Sequence, residues 1–188
     1  FPMTLPAVQR DLNISDESIG VVGSAVRFGN VLSFPVSSAA DVWGRRKVMF
    51  ASTAAFILFG VASGVATTAA WYTLMQVLIK AFEMAQTVIS STFVVESLDH
   101  TNRGWGVGTM GALGVLGGAF ALVLFGLVGD LPGSWRWIYI SSGVFLVPLL
   151  LLYRVTPESP RFSKENAAHL VASVQSLSFR RRQRTRGT

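Results

Sequence analysis

Five runs of about twenty mostly apolar residues, parted by short charged or turn-forming blocks, set what this chain can fold into. A helix needs about 20 apolar residues to cross the hydrocarbon core of a bilayer. Only helices and closed barrels satisfy their backbone groups there. Barrel strands would read as segments of about ten residues in strict alternation, and the sequence has none. The runs lie at about 19–40, 48–70, 71–95, 104–128 and 135–153. The expected fold is therefore all-α, a polytopic transmembrane helix bundle over residues 1–153. A polar, basic segment follows at 154–188, read as a cytoplasmic tail or the start of a central loop. Residues 1–17 are polar and turn-rich and read as a loop. Ser15, Asp16 and Glu17 open the first span, because acidic groups favour a helix N-terminus.

Charge supports the same reading. Only 14% of the residues are charged, against about 25% in soluble domains, and the mean hydropathy is +0.48. Short connections make neighbouring spans antiparallel, which puts the blocks 41–47 and 96–103 and the tail on one side. Twelve Lys and Arg fall there, against two, Arg10 and Arg136, on the other. That bias makes the first side cytoplasmic and predicts a multi-pass plasma-membrane (cell inner membrane) protein whose constant partner is the lipid bilayer. It also accounts for the net charge of +6 without a nucleic-acid partner. The chain has no cysteine, and His100 and His169 form no ligand pair, so no metal site or cofactor is implied. Trp71, Tyr72, Trp105, Trp135, Trp137 and Tyr153 lie near span ends, where amphipathic aromatics anchor at headgroups.

A few polar residues interrupt the spans. Arg27 and Asn30 sit in the first. Arg27 is fourteen residues before Asp41, roughly 20 Å along a helix. Lys80 and Glu83 sit in the third, on the 4-3-4-3 spacing of Gln76, Lys80, Glu83, Thr87 and Ser90, which makes one helical face. Charge at membrane depth faces a cavity or a partner. This face is read as lining an aqueous pathway for a solute or ion, with Arg27, Asn30, Gln76, Lys80, Glu83 and Thr87 as candidate contacts. The plainer alternative is a Lys80–Glu83 or Arg27–Glu83 ion pair that only holds the bundle together. Seven glycines between Gly104 and Gly118 suit close helix packing.

The block Asp41-Val42-Trp43-Gly44-Arg45-Arg46-Lys47 joins the first two spans as a seven-residue turn. It resembles the loop signature G-x-x-x-D-R-x-G-R-[RK] of the major facilitator superfamily, with Ser37 and Val42 standing where that pattern has glycine and arginine. Glu96 with Arg103-Gly104 is similar to the family's E-x6-R-G pattern. Pro157-Glu158-Ser159-Pro160-Arg161 resembles the signature of its sugar porters, and Trp135-Arg136 is a further shared feature. Gln76 stands where the family often has arginine. Gly117-Gly118 match the end of its antiporter signature, without the proline.

The resemblance implies the N-terminal half of such a permease, helices two to six, with the first helix and the C-terminal half lying outside this sequence. It implies secondary active transport of a small polar solute, a sugar or organic ion, by alternating access, with a coupling proton. The gate residues it implies are Asp41, Gly44, Arg45, Arg46, Glu96, Arg103, Gly104, Glu158 and Arg161. The missing half or a second chain would complete the rocking pair. The alternative is a truncated or non-transporting membrane protein that acts only by association. No nucleophile–base pair or phosphate loop supports an enzyme. In the tail, residues 164–178 suit a short amphipathic surface helix, and Arg180–Arg186 a solvated basic stretch attracted to anionic lipid.

Overall fold

A computed structural model describes residues 4–12, 14–128 and 133–158. Among them are α1 (Leu5–Asp11), α2 (Asp16–Trp43), α3 (Arg45–Gly64), α4 (Ala69–Ser97), α5 (Arg103–Val128), α6 (Ser134–Ser141) and α7 (Leu146–Val155), and no strand. A 3-10 turn, Ser142–Phe145, joins α6 to α7. Five stretches are long and apolar enough to cross a membrane: Glu17–Trp43, Arg45–Gly64, Ala69–Ser97, Arg103–Leu127 and Ser134–Val155. The all-α bundle expected from the apolar runs is the fold observed.

The helix ends differ from the expected spans for local reasons. The block at 41–47 is a one-residue break rather than a seven-residue turn. α2 runs through Trp43, Gly44 takes a φ of 100°, and α3 starts at Arg45. Side chains rarely adopt that φ, so glycine sets the bend. α3 stops at Gly64, and Thr68 caps α4 by accepting from the Trp71 N–H at 3.2 Å. Part of the expected N-terminal loop is α1. Pro6 lies in its first turn, where a missing N–H costs nothing, and Val8 is fully buried. The 3-10 turn ends shortly before Pro148, which has no N–H for the preceding helical turn. The rest of the Pro157–Arg161 motif beyond Glu158, the tail helix and the arginine cluster lie outside the described residues.

α4 is the central helix, packed against both α2 and α3; α6 lies on α3, and α5 touches the edge of α4. A Cβ on Gly29 would lie 2.5 Å from the Val77 carbonyl oxygen and 3.0 Å from Lys80 Cβ, so glycine sets the α2–α4 spacing beside Lys80. On α5, Gly106 closes on Val94 and Leu98, but Gly104, Gly108, Gly111, Gly114, Gly117 and Gly118 have open space around them. Among the described residues, the close packing expected at these glycines is therefore realised at Gly106. Two apolar clusters sit at opposite ends of the bundle. Val8, Ile14, Ala66, Tyr72 and Trp135 form one, and Ala40, Val48 and Ile89 the other. Tyr72 and Trp135, read from sequence as headgroup anchors, are core residues in edge-to-face contact at 5.8 Å. Trp71, Trp105 and Trp137 remain exposed.

Candidate functional site: a charged cavity and an ion-paired helix end

A cavity of about 620 Å³ opens between α2, α3, α4 and α6. α2 contributes Gly23, Val26 and Arg27, and α4 contributes Gln76, Ile79, Lys80 and Glu83. Phe56, Tyr139 and Leu5 complete the wall from α3, α6 and α1. The 4-3 spacing of Gln76, Lys80 and Glu83 puts these three on one face of α4. Lys80 Nζ lies 3.1 Å from Glu83 Oε2, so the intrahelical ion pair exists and lies in the cavity wall. No Arg27–Glu83 pair forms among the described residues. Gln76 is 2% exposed, and its Nε2 donates to the buried Ser63 hydroxyl on α3 at 3.0 Å. The Tyr139 hydroxyl shares hydrogen bonds with Thr4 at 3.0 Å and Tyr72 at 3.3 Å.

Two candidates from the sequence do not join this wall. Thr87 is exposed, and its hydroxyl donates back to the Glu83 carbonyl at 2.9 Å, a local bond typical of threonine in helices. Asn30 lies on α2 outside the wall, and its Oδ1 is buried without a hydrogen-bond partner. Sequence reasoning missed Leu5, Gly23, Val26, Phe56, Ile79 and Tyr139. Residues inside apolar runs carry no distinguishing signal, and Leu5 lies in the segment that reads as a loop.

The motif residues gather at the Gly44 end. Arg45 Nη2 lies 3.2 Å from Asp41 Oδ1, one helical turn back across the Gly44 break. The same guanidinium pairs with Glu96 at the end of α4, whose side chain is only 8% exposed. One arginine thus ties the ends of α2 and α4 to the start of α3. Next to it, the Arg46 backbone N–H donates to Glu158 Oε1 at 2.9 Å. The Arg46 guanidinium lies over the Tyr153 ring at 4.4 Å and donates to the Tyr153 carbonyl, which fixes the end of α7. Arg103 lies apart from this group: its Nε donates to Leu98 O at 3.3 Å and its Nη1 contacts His100 Nδ1 at 2.9 Å. Gly104 is exposed with nothing close by. Arg161 lies outside the described residues.

The opposite end is tied as well. Asp11 Oδ2 accepts from Arg136 Nε at 3.2 Å, Arg136 Nη2 at 3.0 Å and Trp135 Nε1 at 3.2 Å. Arg136 Nη1 donates to Ala66 O at 2.6 Å. These bonds hold α1, whose Leu5 lines the cavity, against α6 and the α3–α4 connection. Among the described residues no cluster of His, Asp and Glu could hold a metal ion.

The profile of the Major Facilitator Superfamily matches residues 1–185. The "Probable metabolite transport protein YDR387C" of Saccharomyces cerevisiae is 26% identical over 86% of this chain and 28% of its own length. The "Puromycin resistance protein pur8" of Streptomyces alboniger is 32% identical over 79% of this chain and 30% of its own. The chain thus spans less than a third of these relatives. Among solved structures, the proton:xylose symporter XylE superposes with a TM-score of 0.75 at 15% identity, covering 86% of this chain and 41% of that one.

Proposed function

The chain belongs to the major facilitator superfamily and is a multi-pass membrane protein; from that premise we propose that it forms the solute-binding part of a secondary active transporter for a small polar solute. The observation that carries this reading is the cavity at membrane depth, which joins Arg27 of α2 to Gln76, Lys80 and Glu83 of α4. Polar groups at that depth are costly unless they serve a pathway or a partner. Arg27, Gln76, Lys80 and Glu83 are the proposed solute contacts, and Glu83 the proposed proton carrier. Asn30 and Thr87 flank them.

The ion-paired Gly44 end is the proposed gate. Asp41, Arg45 and Glu96 hold it shut, and Arg46 with Glu158 fixes the neighbouring helix. Alternating access then requires these pairs to rearrange as the half that holds α2 and α4 rocks against the other half. Two-state gating suits ion pairs, which form in one arrangement and break in the other. The excess of Lys and Arg at 41–47, 96–103 and in the tail supports a cytoplasmic position for this end and a plasma-membrane location. The names of the metabolite transport protein and the sugar symporter agree on transport and speak against an enzyme. A coupling proton is proposed by analogy with the symporter alone. The remaining length of such relatives, or a second chain, would supply the other half of the rocking pair.

Uptake of radiolabelled solutes into proteoliposomes, driven by an imposed pH gradient, tests the reading. Glu83→Gln and Lys80→Met are expected to lower the initial rate about tenfold or more with folding intact. Uptake indifferent to both would remove the pathway assignment. A membrane protein that acts only by association is the competing reading, favoured by the open flank of α5. No uptake of any solute even with the other half supplied would establish it.

A further inference from the structure

The charged groups of the cavity wall do not balance. Arg27, Lys80 and Glu83 face it. Lys80 and Glu83 satisfy each other at 3.1 Å. Among the described residues Arg27 makes no ion pair, and no side chain accepts a hydrogen bond from it. Its helix, α2, is one of the five membrane-crossing stretches, and Arg27 lies in its middle turns. An arginine at that depth with no counter-ion among the described residues is stabilised by an anion or by water in the cavity. Its guanidinium presents a planar fork of five donors, which matches a carboxylate with two parallel bonds.

The remaining polar groups of the wall are partly engaged. Gln76 Nε2 is committed to Ser63, and the Tyr139 hydroxyl sits between Thr4 and Tyr72. The other contributors include Leu5, Val26, Phe56 and Ile79, which are apolar. A sugar needs several free donors and acceptors for its hydroxyls, since each unpaired group inside a site weakens binding. This wall sets an arginine with no carboxylate of its own among the described residues beside a mutually neutralised Lys80–Glu83 pair and an apolar surface. We infer that the cavity selects a small organic anion, a monocarboxylate with an apolar body, and that Arg27 selects it; this rests on the transport-site reading above.

The test is equilibrium binding to the purified full chain in detergent, with tritiated benzoate, its neutral isostere benzamide and D-xylose as ligands. Benzoate is expected to bind about 10- to 100-fold tighter than benzamide, the loss that follows from removing a charged hydrogen-bond partner. Arg27→Gln is expected to bring benzoate down to the benzamide level, while Arg27→Lys keeps part of the preference. The benzoate–benzamide comparison needs no variant, so a misfolded Arg27→Gln leaves the test intact. Equal affinity for benzoate and benzamide overturns the inference, as does benzoate binding untouched by Arg27→Gln. Binding of D-xylose without benzoate overturns it too, and leaves the solute-site reading standing. Binding of none of the three overturns both.

Discussion

The backbone N–H of Arg46 donates to the Glu158 carboxylate at 2.9 Å, across 112 residues of sequence. The contact joins two motifs that stand at the ends of different helices, and its chemistry is that of a helix cap. Arg46 is in the first turn of α3, where N–H groups lack intrahelical acceptors and the helix dipole favours negative charge. Gly44, which precedes the helix, has no side chain to serve them. Glu158→Ala is therefore expected to destabilise the bundle by about 1 kcal/mol, the usual size of a lost cap. Glu158→Gln, which keeps an acceptor without the charge, should lose less. Thermal unfolding in detergent micelles reads both, and an unchanged midpoint for Glu158→Ala would exclude the capping role.

Arg45 faces two carboxylates, and one of them is nearly buried. Removing it takes the cation away from a nearly buried carboxylate, which costs about 3–5 kcal/mol for a buried pair. The exposed Asp41 partner adds little. Arg45→Ala should therefore lower unfolding stability strongly, and adding Glu96→Gln to it should restore most of the loss. A double mutant no better than Arg45→Ala would show that the pair is not the cause.

Two glycine substitutions separate close approach from open space. In Gly29→Ala the new methyl would collide with the Val77 carbonyl, a backbone atom that cannot step aside. The expected cost is about 1–3 kcal/mol, typical of overpacking, with Lys80 displaced as α2 lifts off α4. Gly108→Ala adds a methyl where nothing lies within 4 Å, so its effect should stay within about 0.5 kcal/mol. Unfolding curves for the pair decide whether the α2–α4 contact is as tight as described.

Asp11 holds α1 to Arg136 and Trp135 through a pair about one-third exposed. Asp11→Asn should cost only about 1 kcal/mol globally, because solvent screens such pairs. Its local effect should be larger: faster amide exchange in Leu5–Asp11, with α4 unchanged. Equal protection of α1 in both proteins would mean that Val8 burial alone anchors it.

The spans and their polar interruptions were legible in the sequence because lipid demands long apolar helices and penalises every charge inside them. The spacing of Gln76, Lys80 and Glu83 placed them on one face before any coordinates. Thr87 shares that spacing, yet its hydroxyl turns back onto its own helix, a competition that periodicity does not report. α1 was hidden because Pro6 reads equally as a turn signal and as a first-turn residue. Tyr72 and Trp135 misled for a related reason: the amphipathic chemistry that suits a headgroup region also suits a buried aromatic cluster. The Arg45–Glu96 pairing and the cavity walls from Phe56, Tyr139 and Leu5 depend on how separate helices meet, which no local pattern encodes.

The central claim is that the space between α2 and α4 holds water and solute rather than lipid. Because the chain has no cysteine, single cysteines can probe it directly with a membrane-impermeant thiosulfonate reagent in proteoliposomes. Gly23→Cys and Phe56→Cys, on the cavity wall, are predicted to react, while Leu122→Cys, on the open flank of α5, is predicted to stay unlabelled. Gly23 and Phe56 positions as unreactive as position 122 would contradict the account, because the cavity would then be dry and could not serve as a pathway.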